Sequence, residues 1–396
     1  MKILRGAGGA GSLPGCGATS HVFFRKGLSM KIIVSGGGTG GHIYPALTII
    51  RAIESIRNDA EFLYVGTERG LEADIIPKEG LPFATVDLQG FERHFTLANF
   101  KRAGIAMVAV TKALKLVKKF QPDLVIGTGG YVCGPVLLAA GILHIPTVIQ
   151  EQNVVAGITN KLLSHFVSKV SLGMPEAGRH FPVNKTVYTG NPIRAEVMSA
   201  TRDEGIAALG LDKNLPTVLI SGGSRGARSI NRAMVPVLAK AAADPTRQYV
   251  HVTGKDEYDD VVHRVRETGV DLAQATHIKI FPYLYNMPQA LAAADLAVFR
   301  AGAIGLAELM ARGVPSILIP YPYAAENHQE YNAMAARDAG AARMILNKDL
   351  TAEILGQTID ELLDNPAALA EMKQACAKLA KPNAAQEIAE LAISLV

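Results

Sequence analysis

The sequence predicts an α/β protein of two Rossmann-like doubly wound domains that face a central cleft. Three observations lead there. From Lys31 onward, short apolar runs alternate with longer segments of helical period, as in a parallel sheet covered on both faces. The pattern runs through once and restarts near Thr217. Each half opens on a strand, a glycine-rich turn and a helix, and in such sheets ligands bind beyond the carboxyl ends of the strands.

The first set of strands is predicted at 32–35, 62–65, 124–127, 147–150, 169–171 and 186–189. The second set falls at 217–221, 249–253, 278–281, 296–299, 316–319 and 342–346. The boundary is placed near Gly190-Asn191-Pro192, because Pro192 restricts its predecessor and the turn-forming pair ends a strand. This gives domains at 30–193 and 194–381, with 382–396 reading as an amphipathic helix. Residues 1–29 are rich in glycine and small residues and lack a continuous apolar segment, so they are expected to be a disordered leader or a mis-assigned start ahead of Met30.

Composition agrees with two cores. A length of 396 residues, at roughly 150 residues per domain, should hold two domains, each large enough for its own core. Apolar residues make up 49% and charged residues 19%, which excludes a mostly disordered or coiled-coil chain. Cys16, Cys133 and Cys376 are too few and too scattered for a disulfide framework or a cysteine zinc site, and point to a reducing compartment. A net charge of +4 is far below what sequence-independent nucleic-acid binding needs, so no nucleic-acid partner is expected. The greasiest run, 135–149, is interrupted by His144 and Pro146 and is not expected to span a membrane.

The chemistry concentrates in the loops. Gly36, Gly38 and Gly41 satisfy a dinucleotide-type G-x-G-x-x-G, yet Glu68 stands a few residues late for the acidic partner of a nicotinamide site, and a P-loop Lys-Ser/Thr pair is missing. Glycine lets backbone N–H groups and a helix N-terminus approach a diphosphate closely. The second-half loop Gly222-Gly223-Ser224-Arg225-Gly226-Ala227 suits this best, with the Ser224 hydroxyl and Arg225 or Arg228 as added donors. A third cluster runs from Gly127 to Pro135, and Gln150-Glu151-Gln152-Asn153 places polar side chains at a strand's carboxyl end for sugar hydroxyls. Farther on, Ala303-Ile304-Gly305-Leu306-Ala307-Glu308 opens a helix, and the Glu308 carboxylate can accept both hydroxyls of a ribose. Asn327-His328-Gln329-Glu330-Tyr331-Asn332 then places amides on a helix after the loop Tyr321-Pro322-Tyr323.

These residues together resemble the MurG family of bacterial cell-wall glycosyltransferases. The resemblance covers residue 30 to the C-terminus and is carried by Gly-Gly-Thr-Gly-Gly-His at 37–42, Gly129-Gly130-Tyr131 with Gly134-Pro135, Glu151-Gln152-Asn153, Gly190-Asn191-Pro192, Gly222-Gly223-Ser224 and His328-Gln329. It implies a GT-B fold and inverting transfer of GlcNAc from UDP-GlcNAc to the 4-hydroxyl of MurNAc in undecaprenyl-diphospho-MurNAc-pentapeptide (lipid I). The product, lipid II, feeds peptidoglycan synthesis, cell shape and division. Donor contacts implied by the match are Thr39, Gly40, Gly41, Asn153, Arg194, Ser224, Leu284, Ala303, Ile304, Gly305, Leu306, Ala307, Glu308 and Gln329. Glu308 is expected at the ribose, backbone near Leu284 and Ile304 at uracil, and Arg194 and Ser224 at the diphosphate. In such a fold the 382–396 helix is expected to cross back onto the first domain.

This chain departs from the family at Arg225, where Gln is usual, and at Cys133, where Ser is common. Pro282 to Met287 also replaces a Phe-Ile-Asp-Asp-Met block, so Leu284 matches by position only.

Catalysis needs a stabilised leaving diphosphate and a base for the attacking hydroxyl. His42 is the expected base, since the first turn of a helix favours the neutral, proton-accepting ring. Paired carboxylates and histidine clusters at metal-ligand spacing are missing from the sequence, so neither metal nor cofactor is expected. A lipid-linked acceptor places the enzyme peripherally on the cytoplasmic face of the bacterial inner membrane. Ile105, Val108, Leu116 and Val117 beside Lys112, Lys115, Lys118 and Lys119, preceded by Phe91, Phe95, Phe100, Lys101 and Arg102, are the expected anionic-lipid surface. Rival readings are a UDP-GlcNAc 2-epimerase-like isomerase, a non-catalytic sugar-nucleotide-binding regulator and an NAD oxidoreductase.

Overall fold

The computed structural model describes residues 29–86 and 97–396, with backbone alone for 97–106. The expected leader ahead of Ser29, together with Phe91 and Phe95, lies outside the described residues, as do the side chains of Phe100, Lys101, Arg102 and Ile105.

Strands β1 (Lys31–Ser35), β2 (Glu61–Gly66), β3 (Phe83–Thr85), β4 (Leu124–Gly127), β5 (Thr147–Glu151), β6 (Lys169–Leu172) and β7 (Thr186–Tyr188) form one sheet, in the order β3-β2-β1-β4-β5-β6-β7. Strands β8 (Thr217–Ser221), β9 (Gln248–Val252), β10 (Ile278–Phe281), β11 (Leu296–Phe299), β12 (Ser316–Leu318) and β13 (Ala342–Met344) form the second, in the order β10-β9-β8-β11-β12-β13. Every pairing is parallel. β3 was not anticipated: it is a three-residue edge strand, too short to leave a pattern.

The first sheet is covered by α1 (Gly40–Ile56), α2 (Leu71–Lys78), α3 (Leu97–Phe120), α4 (Cys133–Ile142) and α5 (Ile158–Leu163). The second half carries α6 (Ala195–Ser199), α7 (Arg202–Leu209), α8 (Arg228–Ala242), α9 (Tyr258–Glu267), α10 (Met287–Ala293) and α11 (Ala303–Arg312). It continues with α12 (His328–Asp338), α13 (Ala352–Leu363), α14 (Pro366–Leu379) and α15 (Ala384–Ile393).

Strand alternation sorts the cores. Ile32 and Val34 face one layer with Ile43, Ile49, Ile50 and Ile53 of α1, whereas Ile33 and Val125 face the opposite layer with Val136 and Leu137 of α4. The same split puts Val218 and Ile220 against α8, and Leu219 against the layer holding Leu306 and Leu309 of α11. Each such fully buried aliphatic side chain contributes about 1.5–3 kcal/mol relative to exposure. Ile388, Ala389 and Ala392 of α15 lie in the core of the first sheet, beside α1. Local signals set the ends as well. Thr201 and Glu204 form a reciprocal capping box on α7, and Gly210 ends that helix in the left-handed region.

Candidate active site

In both sheets the strand order reverses at one pair of neighbours, β1/β4 and β8/β11, and the glycine-rich loops leave the carboxyl ends of these strands. A crevice opens at such a switch point because the adjacent connections run to opposite faces.

The first-half loops are locked together. The Gly37 N–H donates to the Gly129 carbonyl at 3.3 Å, and the Tyr64 hydroxyl donates to the Gly36 carbonyl at 2.7 Å. At Gly130 (φ +82°) a Cβ would stand 2.5 Å from the Gly37 carbonyl oxygen, so only glycine permits this approach. Sequence reasoning missed Glu72. Its fully buried carboxylate accepts the Gly38 N–H at 3.0 Å, the Thr67 N–H at 3.0 Å and the Thr67 hydroxyl at 2.7 Å. Burial opposes its ionisation, but these hydrogen bonds outweigh that and hold its pKa below the ordinary value.

His42 sits half-buried in the first turn of α1, with Nδ1 2.8 Å from the Gly37 carbonyl oxygen. A carbonyl only accepts, so in the neutral ring Nδ1 carries the proton and Nε2 the lone pair. A Cβ on Gly129 would come within 3.0 Å of Nε2, so this glycine keeps that edge of the ring clear. Thr39 and Gly41 are exposed beside it and Gly40 is half-exposed.

The expectation for the end of β5 needs correction. Gln150, Glu151 and Gln152 are buried and spent on the protein itself. Gln150 donates to Asn191 Oδ1 at 3.0 Å, Gln152 donates to the Thr128 carbonyl at 2.6 Å, and Glu151 accepts the Gly157 N–H at 3.1 Å and Asn160 Nδ2 at 2.8 Å. Of the four, only Asn153 keeps an accessible side chain. The Cys133 thiol also turns inward, against the Ser35 and Gly129 carbonyls, and burial pushes its pKa up to about 11.

In the second half Ser224 and Arg225 are exposed on the loop after β8, whereas Arg228 is committed to Glu257 at 2.7 Å. At Gly226 (φ +75°) a Cβ would lie 1.9 Å from the Thr253 carbonyl oxygen. Leu284 is buried in the core after β10, so its side chain is not available to a ligand. Along the first turns of α11, Ala303 is buried and Leu306 lies in the core, while Ile304, Gly305 and Ala307 are partly exposed. Glu308 is buried and paired with Arg194 at 2.9 Å; burial raises its pKa and the guanidinium holds it back.

Gln329 accepts the Tyr321 N–H at 3.0 Å and sits next to His328, whose Nδ1 lies 2.7 Å from the Ala325 carbonyl oxygen. Glu326 and Asn327, just before, both adopt left-handed backbone (φ 52° and 53°), strain of the kind stored at ligand loops. Burial lowers the His328 pKa, with Glu151 acting to raise it and His42 to lower it. The helix α12 faces the first-half loops through Asn332, which bonds the Val154 N–H and Asn153 Oδ1 there.

Among the described residues no group of three or more His, Cys, Asp or Glu side chains is placed to hold a metal ion.

Comparison with known families decides the class. The glycosyltransferase family 28 N-terminal domain matches residues 32–172, and the family 28 C-terminal domain matches residues 217–388. The chain belongs to glycosyltransferase family 28. Within family 28 it is 48% identical over 359 residues to the UDP-N-acetylglucosamine--N-acetylmuramyl-(pentapeptide) pyrophosphoryl-undecaprenol N-acetylglucosamine transferase of Halalkalibacterium halodurans, covering 91% of this chain and 98% of the relative. The enzyme of the same description from Bacillus thuringiensis strain Al Hakam is 47% identical, covering 93% of this chain and 100% of the relative. Among solved structures, Acinetobacter baumannii MurG superposes with a TM-score of 0.73 at 28% identity, covering 92% of this chain and 99% of that one. A Neisseria meningitidis UDP-GlcNAc 2-epimerase reaches a TM-score of 0.65 at 14% identity, with 92% and 100% coverage, a likeness of fold alone. The resemblance to MurG and the GT-B architecture therefore hold for this family 28 chain.

Proposed function

We propose that this family 28 chain moves GlcNAc from UDP-GlcNAc to the 4-hydroxyl of MurNAc in lipid I, forming lipid II, with His42 as general base. The observation that carries the base assignment is the anchored Nδ1 of His42, which leaves Nε2 as the acceptor at the mouth of the first-half loops. In the transfer, Nε2 takes the proton of the acceptor hydroxyl, the hydroxyl oxygen bonds the anomeric carbon from the face opposite the diphosphate, and the bond to UDP breaks. Configuration inverts in this single displacement. UDP leaves as an anion, and stabilising that charge is assigned to the loop that carries Ser224 and to the N-terminus of α11.

The donor half is placed at 194–381 and the acceptor and membrane side at 30–193. Arg194 and Ser224 are assigned to the diphosphate, Glu308 to the ribose, backbone at Leu284 and Ile304 to uracil, and Asn153 with Gln329 to the sugar. The enzyme works peripherally on an anionic membrane face. Supporting this, Lys112, Lys115, Lys118 and Lys119 project from α3 with exposed Met107 and Val108, while Ala109, Ala113 and Val117 pack inward. Val117, expected on the lipid surface, instead belongs to the core. No helix among the described residues is long and apolar enough to cross a membrane.

The test is incubation with UDP-GlcNAc in the presence and absence of a lipid I analogue, following both UDP and the disaccharide. Acceptor-dependent release of both supports the reading. UDP release independent of acceptor, or an epimerised sugar nucleotide, overturns it.

A further inference from the structure

The amide of Asn332 is fully buried at the seam between the two halves, where it makes three hydrogen bonds. Its Oδ1 accepts the Val154 N–H at 3.0 Å, from the loop that follows β5 in the first half. Its Nδ2 donates to Asn153 Oδ1 at 3.1 Å, also in the first half, and to the Ala301 carbonyl at 3.2 Å, in the loop between β11 and α11. Asn153 is fixed from its other side, since its own Nδ2 reaches Glu151 Oε1 at 3.4 Å. A hydrogen-bonded chain therefore runs Glu151, Asn153, Asn332, Ala301, from the end of β5 to the loop that opens α11.

We propose that Asn332 is a positioning residue that pins the two halves together and transmits the set of the donor loop to Asn153. Asn332 lies three residues after Gln329 and four after His328, so these side chains share one face of α12. Ala301 leads directly into the turn that carries Ile304 and Glu308. A nucleotide that settles the 301–308 segment and α12 thus also settles the orientation of Asn153 across the seam. No other side chain of this size fits the role. Aspartate would set a carboxylate against the Asn153 and Ala301 oxygens, and leucine would leave the Val154 N–H and both acceptors without partners.

The inference rests on the transferase reading for its kinetic consequence but not for its structural one, so two measurements are made. The first is amide hydrogen exchange at Val154, with and without UDP-GlcNAc, in the unaltered protein and in Asn332→Ala. Protection in the unaltered protein, with exchange about ten- to a hundred-fold faster in the variant, is expected for loss of one buried hydrogen bond. The second compares UDP affinity with turnover on a lipid I analogue in Asn332→Ala and Asn332→Asp. UDP affinity is expected to stay within about three-fold while kcat falls about ten- to a hundred-fold, because Asn332 is assigned no nucleotide contact and its loss cuts the bonds to Asn153, Val154 and Ala301 that join the halves.

Val154 exchange at the rate of an open chain in the unaltered protein overturns the proposal, whether or not either variant folds. So does unchanged kcat, or a parallel loss of UDP affinity and kcat, which makes Asn332 part of the nucleotide pocket alone. A wild-type protein that transfers nothing defeats the transferase reading and leaves the Val154 measurement to decide the pin.

Discussion

Nε and Nη2 of Arg194 both lie 2.9 Å from the same oxygen of Glu308, so the residues assigned to the diphosphate and to the adjoining ribose of UDP are held as one unit. Glu308 is almost wholly buried and Arg194 about one-third exposed, and the carboxyl pKa is raised by burial against the pull of the guanidinium. In Arg194→Ala the carboxylate loses that partner. Destabilisation of about 1–3 kcal/mol is expected at neutral pH, below the full cost of breaking a buried pair because one partner is solvated. A carboxyl with a raised pKa holds its proton longer in the fold than in the open chain, so the loss should shrink as pH falls through the folded pKa. Thermal unfolding at pH 8 and pH 5 checks this, and an equal loss at both would contradict it.

Removing the base should separate binding from chemistry. For His42→Ala, kcat is expected to fall about a hundred- to ten-thousand-fold while the KM for UDP-GlcNAc moves only a few-fold. Steady-state kinetics with a lipid I analogue reads both, and undiminished kcat would remove His42 from the base role.

Glu72 is expected to govern the first-half glycine loop. Glu72→Gln turns an acceptor into a donor facing either the Gly38 N–H or the Thr67 pair, which costs about 1–3 kcal/mol. Because the folded pKa of Glu72 is lowered, its stabilisation is complete above the open-chain carboxyl pKa and is lost as pH falls through the folded value. The variant should therefore show a shallower acid limb in plots of Tm against pH.

His251 is fully buried, with Nε2 3.0 Å from Asn231 Oδ1, no partner for Nδ1, and a pKa lowered by burial to about 3. The open chain takes up a proton near pH 6.5 and the fold refuses it until about pH 3, so stability falls as pH drops through that window. His251→Gln should reduce proton uptake on unfolding at pH 5 by about one, measured from the pH dependence of unfolding free energy.

The lysines of α3 give a salt-sensitive test of the membrane reading. Changing Lys115, Lys118 and Lys119 together to Glu should weaken binding to anionic vesicles by at least about a hundred-fold, at roughly 1 kcal/mol per lost cation. Binding to neutral vesicles should not change. Co-sedimentation at low and physiological salt measures both.

The parallel sheets were legible because their strands are buried on both faces and read as unbroken apolar runs; 124–127 and 217–221 were placed to the residue. Edge strand β3 carried no such run. Glycine loops were equally visible, since close backbone approach restricts the residue type at Gly130 and Gly226. The direction of polar side chains was not visible. Gln150, Glu151 and Gln152 have the composition of a sugar site, but their partners Asn191, Gly157, Asn160 and Thr128 come from other parts of the chain. Glu72 was hidden for the same reason, as a carboxylate two residues past a glycine reads like any surface acid until the fold folds Gly38 over it.

The return of α15 to the first sheet has a practical consequence for anyone cutting this gene. A fragment that stops before Arg194 would expose the apolar shelf where Ile388, Ala389 and Ala392 rest, and the complementary fragment would carry those side chains into water. Neither piece is a self-sufficient module. A soluble amino-terminal fragment should require the last turns of the polypeptide to be grafted on or supplied as a separate peptide.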